Sequence, residues 1–449
     1  MDFSGVKKVN RRQLLKTSAA AGAATAALKI APAEAAPSFK QRYSARYQDG
    51  GEITFAVSQP DQQQIQPVLD EYTAATGTKI NTATSDYAGL YTNLNVTLTQ
   101  ATGAYDVVSL DDPWIPQFAG GEFLMNLDEL MQAAGETVDP DFVPELLALG
   151  DFPKGTGLRG IPWVGNVQVF AWRTDVLEEL GKEVPVTWDD VLALATEITA
   201  AKSAEGLYGI GLRGQAGNPA ATSFLPVLRG FGKDLIDPET SEPQLETPEA
   251  MAAIAMQLSL KEQTPPGVEN VGHVENGTNL YSGTIAMSGD IWPDQLLKAF
   301  DPAVSKVVGK IEVGGEPAQS GVKPANMTGN WLLAIPEGSK NPERAWDFIK
   351  WFTSAETQKK LILNNSIPAT RTSVLQDPEA VEKLPFLPGM LAAAKNALPR
   401  PRTPLYGAME EIYGRYVAEA IAGQTSGEDA MKNANKEIRD LLVREGVLS

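Results

Sequence analysis

The stretch Ile53-Thr54-Phe55-Ala56-Val57 begins the part of the sequence that decides the fold class. Its alternating pattern predicts a strand, and residues 79–83 and 106–110 are predicted as a second and a third strand. The segment between the first two strands predicts a helix, because apolar side chains recur three and four positions apart at Ile65, Val68, Leu69 and Tyr72. This strand–helix–strand repetition is typical of βαβ units and predicts an α/β fold with mainly parallel sheets.

Composition and charge exclude several classes of function. The chain has 449 residues, enough for two or three domains, and its formal net charge of −18 argues against binding to a nucleic-acid backbone. It contains no cysteine, which excludes disulfides, thiolate metal sites and cysteine nucleophiles. The single histidine, His273, leaves no His-rich metal site, and we assign it no role. We therefore expect neither a metal nor a cofactor.

The first 35 residues differ in composition from the rest and predict an export signal. A paired-arginine segment, Asn10-Arg11-Arg12-Gln13-Leu14-Leu15-Lys16, precedes an Ala- and Gly-rich run, and Ala33-Glu34-Ala35 offers a cleavage site. This order is typical of a twin-arginine signal peptide, with a disordered basic tail as the alternative. The apolar run is too short to span a bilayer. We expect a periplasmic protein whose signal peptide, residues 1–35, is cleaved near Ala35.

Several segments further along the chain resemble the motifs of one protein family. The most specific runs from Tyr281 to Trp292 and is close to the pattern G-x-x-A-M-x-x-G-x-W. Others precede or follow it in a fixed order, at residues 105–114, 126–128, 160–175, 186–190, 329–336, 339–361 and 367–371. Together they resemble the family 1 extracellular solute-binding proteins of ABC importers, whose best-known members bind sugars.

The resemblance implies a two-lobe periplasmic-binding-protein fold of type II. Each lobe would be a mainly parallel sheet flanked by helices, and a hinge of several strands would join the lobes. The implied N-terminal lobe comprises residues 50–165 and 325–368, and the C-terminal lobe comprises residues 166–324 and 369–449. A ligand would then lie between the lobes, which would close over it as rigid bodies.

Aromatic side chains are expected at such a site. A sugar or polyol presents apolar C–H faces and a rim of hydroxyl groups, so flat aromatic rings and paired hydrogen-bonding groups suit it. Four of the eight tryptophans are placed near strand ends or turns and are predicted to line the cleft, with core packing as the alternative for each: Trp114, Trp163, Trp292 and Trp331.

Polar candidates follow the predicted strands. Asp111 and Asp112 come at the carboxyl end of the third strand, where open α/β sheets bind ligands, although one of them could instead cap a helix. Gln59 and Asp86 occupy the equivalent positions after the first and second strands. Arg371 could donate to the ligand or form a salt bridge between lobes. The remaining candidates are Arg213, Gly214, Asn330, Tyr406 and Glu410.

The sequence therefore predicts the periplasmic solute-binding component of an ABC importer, which captures a carbohydrate or polyol by hinge closure and delivers it to a membrane permease. We expect a monomer that touches the membrane only transiently and is not an enzyme. A polyamine or a sugar phosphate is the alternative ligand. A secreted glycoside hydrolase or lyase is the alternative class, but the adjacent Asp111 and Asp112 would point in opposite directions on an extended segment.

Overall fold

A computed structural model describes residues 51–449, so the predicted signal peptide, residues 1–35, lies outside the described residues. The described strands are β1 (Glu52–Ser58), β2 (Lys79–Ser85), β3 (Val107–Asp111), β4 (Ile161–Val164), β5 (Val169–Arg173), β6 (Tyr208–Ile210), β7 (Ile285–Ile291), β8 (Ile311–Gly314), β9 (Asn326–Met327), β10 (Trp331–Ala334) and β11 (Ala397–Leu398). The three strands expected at the start of the chain are confirmed by β1, β2 and β3.

The described α-helices alternate with these strands and cover the sheets. They are α1 (Gln59–Thr76), α2 (Tyr87–Thr99), α3 (Ile115–Gly120), α4 (Leu127–Ala134), α5 (Pro144–Leu147), α6 (Thr174–Leu180), α7 (Trp188–Lys202), α8 (Asn218–Gly230), α9 (Pro248–Lys261), α10 (His273–Tyr281), α11 (Pro293–Ala299), α12 (Pro342–Phe352), α13 (Ala355–Asn365), α14 (Thr372–Leu375), α15 (Pro378–Lys383), α16 (Leu387–Ala394), α17 (Tyr406–Ile421) and α18 (Gly427–Arg444). None of the described helices has the length and apolar character needed to cross a bilayer.

Two larger sheets organise the molecule. The first has the strand order β2-β1-β3-β10-β4, and the second has the order β6-β7-β5-β8. In the first sheet β1 runs parallel to β2 and β3, whereas β10 runs antiparallel to β3 and β4. In the second sheet β6 and β7 are parallel, and β5 is antiparallel to β7 and β8. The sheets are therefore mixed rather than mainly parallel, because β10 in the first sheet and β5 in the second run antiparallel to both of their neighbours.

Hydrophobic side chains fill both faces of each sheet. On the first sheet one face packs against α1 and α12, where the rings of Tyr72 and Phe348 lie 5.2 Å apart, and the other face packs against α2 and α3. On the second sheet one face packs against α7, α8 and the C-terminal helices, and the other packs against α11 and α16. Each larger sheet thus has its own hydrophobic core.

Three adjacent chain segments cross between the two sheets. Residues 165–168 connect β4 to β5, residues 328–330 connect β9 to β10, and residues 366–371 follow α13. Backbone hydrogen bonds of 2.9 Å join these segments at Gly165–Pro368, Gln168–Met327 and Gly329–Asn166. Glycine is required at position 165, because a Cβ there would overlap the carbonyl oxygen of Ala369. These segments form a hinge in which three strands of backbone lie side by side.

Candidate ligand-binding site

A cleft of about 580 Å³ is lined by residues from both larger sheets and from the hinge. The first sheet contributes Tyr87 at the start of α2, Asp111 at the end of β3 and Trp331 at the start of β10. The other lining residues come from the hinge, the second sheet and the C-terminal region: Arg213, Asn218, Thr222, His273, Trp292, Gly329, Arg400, Glu410 and Glu411. The cleft therefore lies at the carboxyl end of β3, where α/β sheets place their ligands.

A buried arginine bridges the two aspartates at the end of β3. Arg400 Nη2 donates to Asp111 Oδ1 at 2.8 Å and to Asp112 Oδ1 at 3.2 Å. The Tyr87 hydroxyl donates to Asp111 Oδ2 at 2.8 Å. Asp112 Oδ2 instead accepts hydrogen bonds from the hinge, from Thr328 Oγ1 at 2.8 Å and from the Asn330 backbone N–H at 3.1 Å. Asp112 is thus tied to the hinge, while Asp111 faces the cleft.

Burial dominates the electrostatics of this cluster. Burial first, and then the neighbouring Asp112 carboxylate, raise the pKa of Asp111 to about 6, although Arg400 and the Tyr87 hydroxyl oppose the change. Burial also disfavours the charged guanidinium, but the two carboxylates outweigh burial and hold the pKa of Arg400 well above its usual value. The cleft therefore contains an arginine that stays charged and a carboxylate that titrates close to neutrality.

Aromatic rings form one wall of the cleft. The Trp331 ring meets Tyr87 at 5.9 Å and Trp114 at 5.5 Å between centroids, both nearly edge to face. Trp114 also packs against Tyr87 at 4.8 Å, and it is only 8% exposed. Trp114 therefore supports Trp331 and Tyr87 from behind, and the latter two rings face the cleft. Flat apolar surfaces of this kind suit the C–H faces of a polyhydroxy ligand.

The opposite wall is built around Asp290 in β7. Its Oδ1 accepts from Arg213 Nη2 at 2.6 Å, from Gln168 Nε2 at 2.6 Å and from Trp292 Nε1 at 3.1 Å, while Arg213 Nε donates to Oδ2. Trp292 lies against the hinge, since a Cβ at Gly329 would be only 2.5 Å from its ring. This close approach requires glycine at position 329. Asp290 thus fixes the orientation of both Arg213 and Trp292.

Helix α17, the last but one in the chain, contributes a carboxylate to the cleft. The hydroxyl of the buried Tyr406 donates to Glu410 Oε1 at 2.8 Å and lies 3.3 Å from the hydroxyl of Tyr413. Glu410 is half-buried, and the following residue, Glu411, is exposed at the rim. Glu410 therefore keeps acceptor capacity for a ligand. Within the described residues, no cluster of three or more acidic or histidine side chains could hold a metal ion.

Five of the predicted site residues line the cleft, and four lie directly behind it. Those that line it are Asp111, Arg213, Trp292, Trp331 and Glu410. Those behind it contact lining residues or the hinge, and they are Asp112, Trp114, Asn330 and Tyr406. The Asn330 amide donates to the carbonyl oxygen of Asn166 at 2.9 Å, so Asn330 joins two segments of the hinge.

The predictions for Trp163 and Arg371 are wrong in placement. Trp163 is fully buried in the core of the first sheet, where its indole N–H donates to Ser109 Oγ at 3.0 Å. Arg371 forms the ion pair that is the alternative to ligand binding, with Asp139 at 2.6 Å, and its guanidinium lies over the Phe142 ring. Trp163 is in strand β4 and Arg371 is in a loop, and both positions are close to the hinge. Sequence alone does not distinguish such positions from those that line the cleft.

The other three predicted residues also lie elsewhere. Gly214 packs against the loop before α10, and a Cβ there would be 2.5 Å from the carbonyl oxygen of Val268. Gln59 is exposed at the first turn of α1. Asp86 is the N-cap of α2 and accepts from the backbone N–H of Gly89 at 2.7 Å. The residue types at these two positions are therefore explained by local structure, namely a close backbone approach at Gly214 and a helix N-cap at Asp86.

Sequence reasoning missed Tyr87, Arg400 and His273. Arg400 belongs to the segment Pro399-Arg400-Pro401-Arg402, where the prolines favour an extended backbone that projects both arginines to the same side. That alternation is a signal that could have revealed it. His273 lines the cleft, and its Nε2 lies 2.9 Å from Asp294 Oδ2. No comparable sequence signal marks His273, because it is a single polar residue at the start of α10.

The bacterial extracellular solute-binding protein family matches residues 56–359, which include strands of both larger sheets and the first two hinge segments. The chain belongs to this family. A twin-arginine translocation signal matches residues 8–27, within the predicted signal peptide. Export of this solute-binding protein to the periplasm is thereby confirmed.

Relatives of this solute-binding protein include transporter components with named ligands. A probable ABC transporter-binding protein of Deinococcus radiodurans is 27% identical over 340 residues, 74% of this chain and 79% of that protein. The mannitol-binding protein of Pseudomonas aeruginosa is 27% identical over 319 residues, 65% of this chain and 71% of that protein. The structure of an ABC transporter solute-binding protein from Agrobacterium radiobacter K84 with ribitol is 27% identical, with a TM-score of 0.78 over 88% of this chain and 99% of that chain. The predicted two-lobe fold is confirmed.

Proposed function

We propose that this protein captures a small polyol or a neutral sugar in the cleft and delivers it unchanged to the permease of an ABC importer. The observation that carries the proposal is the placement of Trp331 and Asp111 on one side of the cleft and of Trp292 and Arg213 on the other. Aromatic faces and paired polar groups thus surround the same space. The named ligands of two relatives, mannitol and ribitol, belong to this chemical class.

Each polar group has a defined part in this proposal. Hydroxyl groups of the ligand donate to the Asp111 and Glu410 carboxylates, and charge-assisted hydrogen bonds of this kind are about twice as strong as neutral ones. The N–H groups of Arg213 and Arg400 that line the cleft donate to ligand oxygens. Because Arg400 already pairs with Asp111 and Asp112, and Arg213 pairs with Asp290, the arginines add little net positive charge. This balance favours a neutral ligand over a sugar phosphate.

We also propose that the two lobes close over the ligand. The proposed lobes are residues 50–165 with 325–368 and residues 166–324 with 369–449. The two larger sheets with separate cores support this division, as does the hinge between them. A ligand that contacts both walls has higher affinity for the closed form and shifts the balance toward it.

Closure predicts a change of shape that scattering detects. Addition of the bound polyol is expected to reduce the radius of gyration in small-angle X-ray scattering, because the lobes approach each other. A variant with Asp111→Asn, titrated with the same polyol at the same concentration, serves as the control with reduced occupancy. An unchanged radius at saturating ligand would contradict the hinge mechanism.

A thermal-shift screen is the direct test of the ligand class. Purified protein is incubated with polyols, monosaccharides, oligosaccharides, sugar phosphates and polyamines, and we expect stabilisation by polyols or neutral sugars. A ligand at 100 times its dissociation constant adds about 2.7 kcal/mol to the free energy of unfolding. Stabilisation by polyamines alone or sugar phosphates alone would replace the proposed ligand class.

Binding is expected to weaken as the pH falls below about 6. Burial raises the pKa of Asp111 to about 6, so below this pH the group becomes a neutral acid and loses its charge-assisted bonds to ligand and Arg400. The dissociation constant measured by calorimetry should rise by up to about tenfold per pH unit below 6 and stay constant just above it. Asp111→Asn should bind more weakly and lose this dependence. An affinity that is equal at about pH 5 and pH 7 would contradict the role of Asp111.

We propose further that the protein is a monomer without catalytic activity and that it meets the membrane only through the permease. The two carboxylates of Asp111 and Asp112 share one guanidinium, and one of them is tied to the hinge, so they do not flank a bond from opposite sides. Recovery of the bound polyol unaltered after prolonged incubation is the expected result. Sustained release of reducing sugar from glycans would instead support the hydrolase alternative.

A further inference from the structure

Glu316 is a buried acidic residue behind the wall of the cleft that is built around Asp290 and includes Trp292. It follows β8, is only 2% exposed, and neither carboxyl oxygen has a hydrogen-bond partner among the described residues. One of these oxygens lies against Gly289 in β7, where a Cβ would be 2.6 Å from it. A buried carboxylate without a partner is strongly unfavourable, so such groups usually take up a proton.

One side-chain amide connects Glu316 to the cleft wall. Asn326 Oδ1 accepts from the Glu316 backbone N–H at 3.3 Å, and Asn326 Nδ2 donates to the backbone carbonyl of Gln168 at 2.9 Å. Gln168 Nε2 donates to Asp290 Oδ1 at 2.6 Å and to the Thr222 carbonyl at 3.0 Å. Because both partners are acceptors, they fix the orientation of the Gln168 amide. The remaining atom, Gln168 Oε1, is also buried without a partner.

Gln168 and Glu316 lie opposite each other when the antiparallel register of β5 and β8, in which Phe170 pairs with Gly314, is continued by two residues. Two acceptor groups that both lack donors are satisfied if one of them carries a proton. We propose that Glu316 is a neutral carboxylic acid in the folded protein and that its O–H donates to Gln168 Oε1, which positions Gln168, Asp290 and Trp292. The hydrogen bonds then run without interruption from Glu316 to the indole N–H of Trp292. The inference rests on the proposed function only in treating Trp292 as part of a binding wall.

The charges around Glu316 agree with this assignment. Burial and the Asp290 carboxylate both raise the pKa of Glu316 well above its usual value. Asp290 itself faces Arg213, whose guanidinium donates to both of its carboxylate oxygens. The positive charge of Arg213 is therefore already matched by Asp290 and does not act as a counter-ion for Glu316.

The proton on Glu316 is tested by chemical unfolding of the protein and of Glu316→Gln at several pH values. The pKa of a glutamate in the unfolded chain is about 4.3, so between about pH 5 and 7 the folded wild type holds one more proton than the unfolded chain. Stability of the wild type relative to Glu316→Gln is then greatest at low pH and falls as the pH rises. The unfolding equilibrium constant of the wild type should rise about tenfold per pH unit relative to Glu316→Gln.

A matched control separates this effect from general charge changes. Glu312 lies four residues earlier on β8 and is exposed, so the ratio between wild type and Glu312→Gln should stay constant over the same interval. A ratio for Glu316→Gln that also stays constant means that Glu316 is ionised in the folded state, and it overturns the proposal.

The positioning role is tested without any ligand by the indole ¹H–¹⁵N signal of Trp292, assigned through its loss in Trp292→Phe. Glu316→Gln keeps an N–H donor toward Gln168 and should leave this signal in place. Glu316→Met has no donor and should shift or broaden it. An unchanged Trp292 signal in Glu316→Met overturns the positioning role. Since no polyol is present in either measurement, their outcome is independent of the ligand assignment.

Discussion

Replacing Arg400 by methionine is expected to lower the free energy of unfolding by about 3–5 kcal/mol. Arg400 is only 6% exposed, and it neutralises the adjacent carboxylates of Asp111 and Asp112, which are 5% and 1% exposed. Methionine fills similar space but leaves two negative charges buried side by side without a cation. Urea denaturation at neutral pH measures the loss.

Two comparisons distinguish this effect from the removal of any arginine. Arg415 on α17 forms an exposed ion pair with Glu437 at 2.7 Å, so Arg415→Met should cost less than about 1 kcal/mol. Adding Asp111→Asn and Asp112→Asn to Arg400→Met should recover much of the lost stability, because no uncompensated charge remains. Equal stability of Arg400→Met and Arg415→Met would contradict the assigned role of Arg400.

Replacing Trp331 by alanine should weaken binding of the polyol found in the screen by about 30- to 150-fold, which corresponds to about 2–3 kcal/mol. Trp331 is only half-buried and presents its ring to the cleft between Tyr87 and Trp114. Its truncation removes an apolar face from the ligand and opens the wall to water. Titration calorimetry measures the affinity, and the unfolding midpoint should change little.

Trp163 is a matched control for Trp331, because its replacement should lower stability and leave the affinity for the polyol nearly unchanged. It is fully buried against Phe352 at 5.4 Å, so Trp163→Ala should cost about 3–5 kcal/mol of stability. The fraction that folds should bind the polyol with nearly unchanged affinity, because Trp163 does not line the cleft. If Trp163→Ala loses affinity and Trp331→Ala loses only stability, the two tryptophans have been assigned to the wrong environments.

Most of the fold was predictable because its signals are local. The alternation in β1 and the apolar spacing in α1 specify these elements without reference to the rest of the chain. The direction of the crossing strands was not predictable in this way. β10 pairs antiparallel with β3, more than 200 residues earlier in the chain, and its pattern carries no information about that partner.

The site was only partly predictable for a related reason. Asp111 was found because it follows a strand, and Trp292 because it belongs to a family motif. Trp163 shares those local features, yet its ring points into the core, since adjacent positions on a strand face opposite sides of the sheet. Arg400 reaches Asp111 from 289 positions away, so only the folded chain shows that they meet.

The interleaved route of the backbone has a consequence for biogenesis. β10 sits inside the first sheet between β3 and β4, and the last two helices cover the second sheet. The first sheet therefore cannot be completed before β10 has been synthesised, and the second sheet cannot be covered before the last two helices have been, so both halves finish folding late in synthesis or after it. A translocon that threads nascent polypeptide would deliver incomplete halves. The twin-arginine pathway, which is associated with cargo that is already folded, suits this order of events.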